Sequence, residues 1–298
     1  MTSYTVSVFI TGGIYAIVAL GLHVTLLTGQ FSVAHAALMG LGGYAAGYAS
    51  VEWGLDLFSA ALFGGVIGLV VGGLMAAVLR RMEGMLLGIA TLAIGQAASL
   101  LMNNVEPLGG ALGYMGVPLR TTLGQVCVVL VLILLALTYL RWTRLGLALL
   151  SVGKDEVVAE AVGISTRRMR ILGFALGGAL AGVGGGMMVQ FIGLVRPSDL
   201  AFAAEIQLFT FVIIGGMSTP WGAVLGAVGI TWGLEWLRFA SDDRYWLLGL
   251  ALMIVVLVRP DGLLRRRRLR FRTIVGRLPE SPSPVPETAT TTGRVTAS

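Results

Sequence analysis

The feature that most limits what this chain can become is the recurrence of long apolar runs. They fall at about Tyr4–Leu27, Ser32–Ser50, Leu57–Leu79, Met85–Met102, Leu123–Leu140, Ile171–Ile192, Phe202–Met217, Trp221–Leu237 and Tyr245–Val258. Most are long enough, as helices, to cross the roughly 30 Å of hydrocarbon in a bilayer. The second, seventh and eighth are short or broken by glycine and are candidates for half-spanning segments. The expectation is an all-α integral membrane protein of about nine transmembrane helices. Composition agrees: 12% of the 298 residues are charged and 56% are hydrophobic. A soluble domain carries about a quarter charged residues to keep its surface hydrated, so much of this surface must face lipid.

Glycine supplies 43 residues. Many sit at four-residue spacing inside the apolar runs: Gly64, Gly68 and Gly72; Gly178, Gly182 and Gly186; Gly222 and Gly226. Such rows lie on one helix face and let helices approach closely where lipid supplies no hydrophobic drive. Gly215 and Gly216 stand just before the last row.

Arginine sets the expected orientation. Arg80 and Arg81 end the third run; Arg141, Arg144, Lys154, Arg167, Arg168 and Arg170 lie between the fifth and sixth; Arg259 and Arg265 to Arg268 follow the ninth. Nine crossings put all three groups on one side, and the positive-inside rule makes that side the cytoplasm, with the amino terminus outside. The basic cluster after the last run anchors a cytoplasmic end and does not point to nucleic acid. The first run has no basic stretch before it and is as long as a full span, so it reads as an anchor and not a cleaved signal. Residues 1–264 form the expected membrane domain, with a cytoplasmic loop over 141–170. Residues 265–298 begin basic and continue, through Pro282, Pro284, Pro286 and Thr288 to Thr292, as a disordered tail.

Chemistry is sparse. Lys154, in Gly153-Lys154-Asp155, lacks the following Ser or Thr that a phosphate-binding loop uses to hold magnesium. Any ATP that drives this protein is hydrolysed elsewhere. A proton- or sodium-coupled carrier needs ionisable groups in the membrane, and the candidates are His35, Glu205 and Glu235, the two acids near span ends where a carboxylate reaches water. There is no His-Glu-x-x-His metal motif, and Ser32 near His35 lacks the acid of a triad. Cys127 stands alone and excludes a disulfide framework. A self-sufficient carrier, a scaffold and a membrane enzyme remain as alternatives to a permease subunit.

In the 141–170 loop, Asp155 and Glu156 open a short helical pattern, Val157, Val158, Ala161 and Val162 line one face, and Gly163 stands where the helix stops. A helix of two turns is marginal in water and needs a partner to dock on. The stretch Gly146 to Ile164 resembles the ATPase-docking loop of branched-chain amino acid ABC importer permeases. Gly29-Gln30-Phe31-Ser32-Val33-Ala34-His35-Ala36-Ala37 is similar to that family's Gly-Gln-x-Ser-x-Gly-His-Ala segment. Gly109-Gly110, Gly113 and Gly116-Val117-Pro118 look like its external loop, and Ile214 to Ala227 like its glycine hinge. Four motifs in order, across about Ala19 to Leu264, make the resemblance specific, and they look closer to the LivM-type half than to its LivH-type partner. Ala34, Ser218 and His23 depart from the usual Gly, Gly and Asn.

The resemblance implies a type II importer-like permease of the bacterial inner membrane, with its carboxyl terminus cytoplasmic. It implies a second, LivH-like permease, two ATP-binding cassette ATPases and an external solute-binding protein as partners. ATP and magnesium would be bound by the ATPases and no cofactor by this chain. Lys154, Asp155, Glu156, Val158, Glu160, Ala161 and Gly163 would form the coupling helix. Gln30, Ser32, His35 and Glu205 would either line the pathway or hydrogen-bond neighbouring helices. The implied substrate is a branched-chain amino acid, with urea, short amides or a ribose-like sugar as alternatives.

Overall fold

A computed structural model describes residues 3–217 and 219–236, together with the isolated positions Gly249 and Met253. The first eight apolar runs are all helical. They appear as α1 (Ser3–Leu27), α2 (His35–Glu52), α3 (Leu57–Val78), α4 (Gly84–Asn104), α5 (Leu123–Leu140), α8 (Thr166–Ile192), α9 (Phe202–Gly215) and α10 (Pro220–Trp236). Two further helices, α6 (Arg144–Lys154) and α7 (Glu156–Ala161), lie between α5 and α8. Of the ninth run only two positions are described, and the Arg265–Arg268 cluster and the tail lie outside the described residues.

Among the described residues, five helices, α1, α3, α4, α5 and α8, are long and apolar enough to cross a membrane by themselves. The bent pair α9 and α10 adds a sixth candidate. The chain is therefore a mostly helical, multi-pass membrane protein. Among the described residues, the strand structure is a short antiparallel bridge, β1 (Tyr114–Met115) on β2 (Leu194–Val195), which joins two loops at one end of the bundle.

Helix α2 is absent from the spanning set for a physical reason. It begins with His35, ends with Glu52, and is rich in Ala, Gly and Tyr between them. Most of its residues are buried against other helices, so it needs small residues for close packing more than it needs apolarity toward lipid. Conversely, α5 fully buries only Val126 and Leu134, and exposes Val128, Val131, Leu132 and Leu135.

The core is organised around α8, 27 residues long and so about 40 Å in length. It packs on α1, α2 and α3 through its glycines. A Cβ on Gly64 would meet the Gly42 carbonyl oxygen at 2.6 Å, and Gly68 and Gly178 each lie against the other's carbonyl. Gly182 faces Gly64 and Gly42; Gly72 approaches Phe174 and Gly178; Gly186 sits 2.7 Å, measured from an added Cβ, from the Ala61 Cα. Polar backbone is thus brought against polar backbone, at separations that any side chain would prevent.

The two ends of the bundle are distinct. At one, the Arg120 backbone N–H donates to the Gln190 carbonyl (3.0 Å), and its guanidinium donates to the Leu55 carbonyl (2.7 Å). At the other, Arg80 and Arg81 share a cavity with Arg167 and Arg170. Four of the arginines placed on one side by charge counting, two after α3 and two at the start of α8, are therefore neighbours in space.

Replacing Gly178 with valine is expected to destabilise the α3–α8 contact by about 1–3 kcal/mol, because overpacking a tight contact moves backbones apart. Gly124→Ala, where an added Cβ meets nothing within 4 Å, should be neutral. Thermal unfolding of the two purified variants in the same detergent checks the contrast.

Candidate functional site

The polar residues of the first motif gather where α2 begins. Between Thr28 and Ala34 the chain is not helical, so the first backbone N–H groups of α2 have no partner within their own helix. Glu205 supplies one. Its Oε1 accepts from the His35 N–H (3.1 Å) and its Oε2 from the Ala36 N–H (2.5 Å). The same carboxyl group lies in the first turn of α9, so it sits at the amino-terminal ends of two helices, where their dipoles favour an acceptor. Only 2% of Glu205 is exposed. The expectation that a carboxylate near this span end reaches water is thereby corrected: the bundle folds α2 over it, and backbone amides take the place of solvent.

The side chain of His35 is also enclosed, stacked near Phe174 with ring centroids 5.9 Å apart. Its Nε2 lies 3.1 Å from Thr25 Oγ1, whose hydroxyl points at the Gly21 carbonyl (3.4 Å). That arrangement makes Nε2 the donor and leaves Nδ1 a bare, buried acceptor. Gln30 Oε1 accepts from Thr28 Oγ1 (3.1 Å), and Ser32 is buried with no partner for its hydroxyl. Gln30, Ser32, His35 and Glu205 thus surround one helix start, and none of them lines a nearby cavity that α2 borders through Ala36, Met39, Gly40 and Gly43.

That cavity, of about 110 Å³, is bounded by α1, α2, α8 and α9 together with the loop through β2. Tyr15, Met39, Met188, Val189 and Leu208 give it apolar walls, and Asp199 adds a carboxylate. Sequence reading missed this space, since its walls come from four separate segments. The α9–α10 pair that borders it bends by 120°, reversing direction across Gly216, whose φ of +109° only glycine adopts readily. Gly215 packs on Gly222 and Gly226 as the chain turns back.

At the arginine-bearing end, Asp155 caps α7 by accepting from the Val158 N–H (3.1 Å). The helix ends before Gly163, which has φ +83°. Two contacts tie α7 to the start of α8: Glu160 Oε1 accepts from Thr166 Oγ1 (2.8 Å), and Glu156 pairs with Arg170 (2.7 Å). Arg170 also pairs with Glu83 (2.8 Å), reaching the turn between α3 and α4. Lys154 ends α6, whose Leu149 and Val152 are buried, and Ala161 is the last residue of α7. The outward face of α7 is bare, with Val157 78%, Val158 59% and Val162 70% exposed. The sequence signalled α7 but not α6, nor the role of Arg170, because neither ion pair is local in the chain.

Residues 4–258 match the family described as the branched-chain amino acid transport system permease component. The chain belongs to this family. It is 26% identical over 295 residues to the high-affinity branched-chain amino acid transport system permease protein LivM of Escherichia coli K12, covering 87% of this chain and 69% of LivM. The permease protein LivH of the same organism is 32% identical over 151 residues, about half of each chain. The autoinducer 2 import system permease protein LsrC of Yersinia pestis (strain Pestoides F) is 26% identical over 274 residues, covering 87% of this chain and 77% of its own. No solved structure matches. The chain is a permease subunit of an ABC importer, a multi-pass protein of the inner membrane, and its similarity to LivM extends further than its similarity to LivH.

Glu205→Ala should leave two buried N–H groups without acceptors, at about 1–3 kcal/mol each. Glu205→Gln keeps one acceptor and should lose less. Ranking the variants by thermal unfolding, with wild type most stable and alanine least, checks this; an unchanged alanine variant would show that the bridge carries no stability.

Proposed function

We propose that this chain forms half of a translocation pathway for a branched-chain amino acid or a similar small solute, and that separate ATPases drive it through α7. The observation that carries the reading is the bare apolar face of Val157, Val158 and Val162 on a capped helix whose other side is fastened to α8. A helix of six residues has no stability of its own in water. Held at Asp155, Glu156 and Glu160, and stopped at Gly163, it is a rigid knob with an unpartnered surface. Lys154 and Ala161 flank that knob, so the set from Lys154 to Gly163 forms the docking element.

The partners are a LivH-like second permease, two ATP-binding cassette ATPases carrying ATP and magnesium, and an external solute-binding protein. The permease has a nine-span, type II importer-like arrangement with its carboxyl terminus cytoplasmic. In this mechanism, movement of the ATPases shifts α7, Glu156 and Glu160 carry the shift to the first turn of α8, and the glycine-packed bundle rocks about the α9–α10 bend. ATP changes the exposure of the cavity only because the ATPases contact α7 differently in their two states. The apolar walls of the cavity suit an aliphatic side chain. Gln30, Ser32, His35 and Glu205 hold the start of α2 in place and act on the solute through that helix.

Similarity to an autoinducer 2 import permease over the same share of the chain favours a second substrate class, autoinducer 2 or a related solute. Ligand binding by the partner solute-binding protein, measured with leucine, isoleucine, valine and autoinducer 2, separates the two.

A cysteine at Val158 is expected to crosslink to a partner ATPase in the assembled complex, and Val158→Asp should abolish ATP-driven uptake in vesicles while the complex still assembles. Absence of the crosslink in an intact complex, or uptake by this chain without ATPases, would overturn the proposal.

A further inference from the structure

The arginine-bearing end holds a cavity of about 290 Å³ formed by the end of α3, the turn after it, Glu156 of α7 and the start of α8. Arg80, Arg81, Arg167 and Arg170 line it against two carboxylates, Glu83 and Glu156, and the buried Gln30 contributes an amide. Both carboxylates are already paired with Arg170. Among the described residues, Arg80, Arg81 and Arg167 have no carboxylate within ion-pair distance. Among the described residues, three arginines therefore line a polar cavity without a carboxylate partner.

Apolar helix surface runs up to this cavity. Val78 precedes Arg80 at the end of α3, Met85 and Leu86 open α4 just after Glu83, and all three are exposed on helices fit to span a membrane. A cationic pocket at the end of lipid-facing helices matches an amphiphilic anion: guanidinium groups take the phosphate oxygens in pairs, while acyl chains lie along the apolar faces. We propose that this cavity binds the phosphate of an anionic phospholipid headgroup. The bound phosphate would lie beside the Glu156–Arg170 pair, so the membrane's anionic lipid would touch the same contact that fastens α7 to α8. The lipid site stands on its own geometry and holds whether or not α7 docks an ATPase.

Native mass spectrometry of the full-length chain, purified with its partner subunits and exposed to mixed phosphatidylglycerol and phosphatidylcholine, tests it. Phosphatidylglycerol should be retained several-fold over phosphatidylcholine. The combined exchange Arg80→Gln, Arg81→Gln, Arg167→Gln should remove that preference while leaving the ion pairs of Arg170 intact. Arg168→Gln, in the same first turn of α8 but outside the cavity, should keep it. If the combined variant does not assemble, Arg81→Gln alone should show a graded loss. Equal retention of the two lipids, or a preference that survives the exchanges, overturns the proposal. Displacement of phosphatidylglycerol by inorganic phosphate would assign the cavity to free phosphate and overturn the lipid reading.

Discussion

The contact on which the rest of the molecule depends is the glycine face of α8. Gly178 and Gly182 bring the backbone of α8 against the Gly68 and Gly64 carbonyls of α3, Gly42 of α2 lies on the Gly182 backbone, and Gly186 lies on Ala61, all at distances no side chain would permit. In lipid there is no hydrophobic gain from joining two apolar helices, so association rests on this closeness and the dispersion contact it gives. The result is a rod touching α1, α2 and α3 along its length. Both loops that matter are anchored to it: α7 through Glu156 and Glu160 at one end, and the segment around Arg120 through the Gln190 carbonyl at the other.

Broken helices follow from the same packing. Helix α2 starts inside the bundle, and α9 is about 21 Å long, short of a full crossing. Each interruption exposes backbone donors that lipid cannot satisfy. Glu205 answers for α2 by accepting two N–H bonds. Irregular backbone is tolerated at this depth only where protein encloses it or where it borders a cavity, and both conditions hold here. The cavity beside Met39, Met188 and Leu208 lies next to both discontinuous helices, which is why small movements of α9 relative to α2 would change its access.

The arginine-bearing end combines three tasks in a small space. Arg170 spans two carboxylates from different segments, Glu83 and Glu156. As partly exposed pairs these add little stability, about 0–1 kcal/mol each. Their value is geometric: they fix α7 relative to α8 and to the α3–α4 turn. They also engage both carboxylates that line the cavity, so among the described residues its other arginines have no ion-pair partner.

By itself the sequence determined the membrane class, the positions of eight helices, the glycine rows and the short capped helix at Asp155. It did so because hydrocarbon thickness, helix period and capping chemistry are all local in the chain. Its family motifs were legible for the same reason, being contiguous stretches. Only the tertiary structure decided that Glu205 sits 170 residues from the amide it serves, that Arg170 joins Glu83 to Glu156, and that α2 is enclosed by protein instead of lipid. Those facts depend on which helix lies beside which, and in a bundle whose contacts are made by glycine the sequence offers few side chains to tell one neighbour from another.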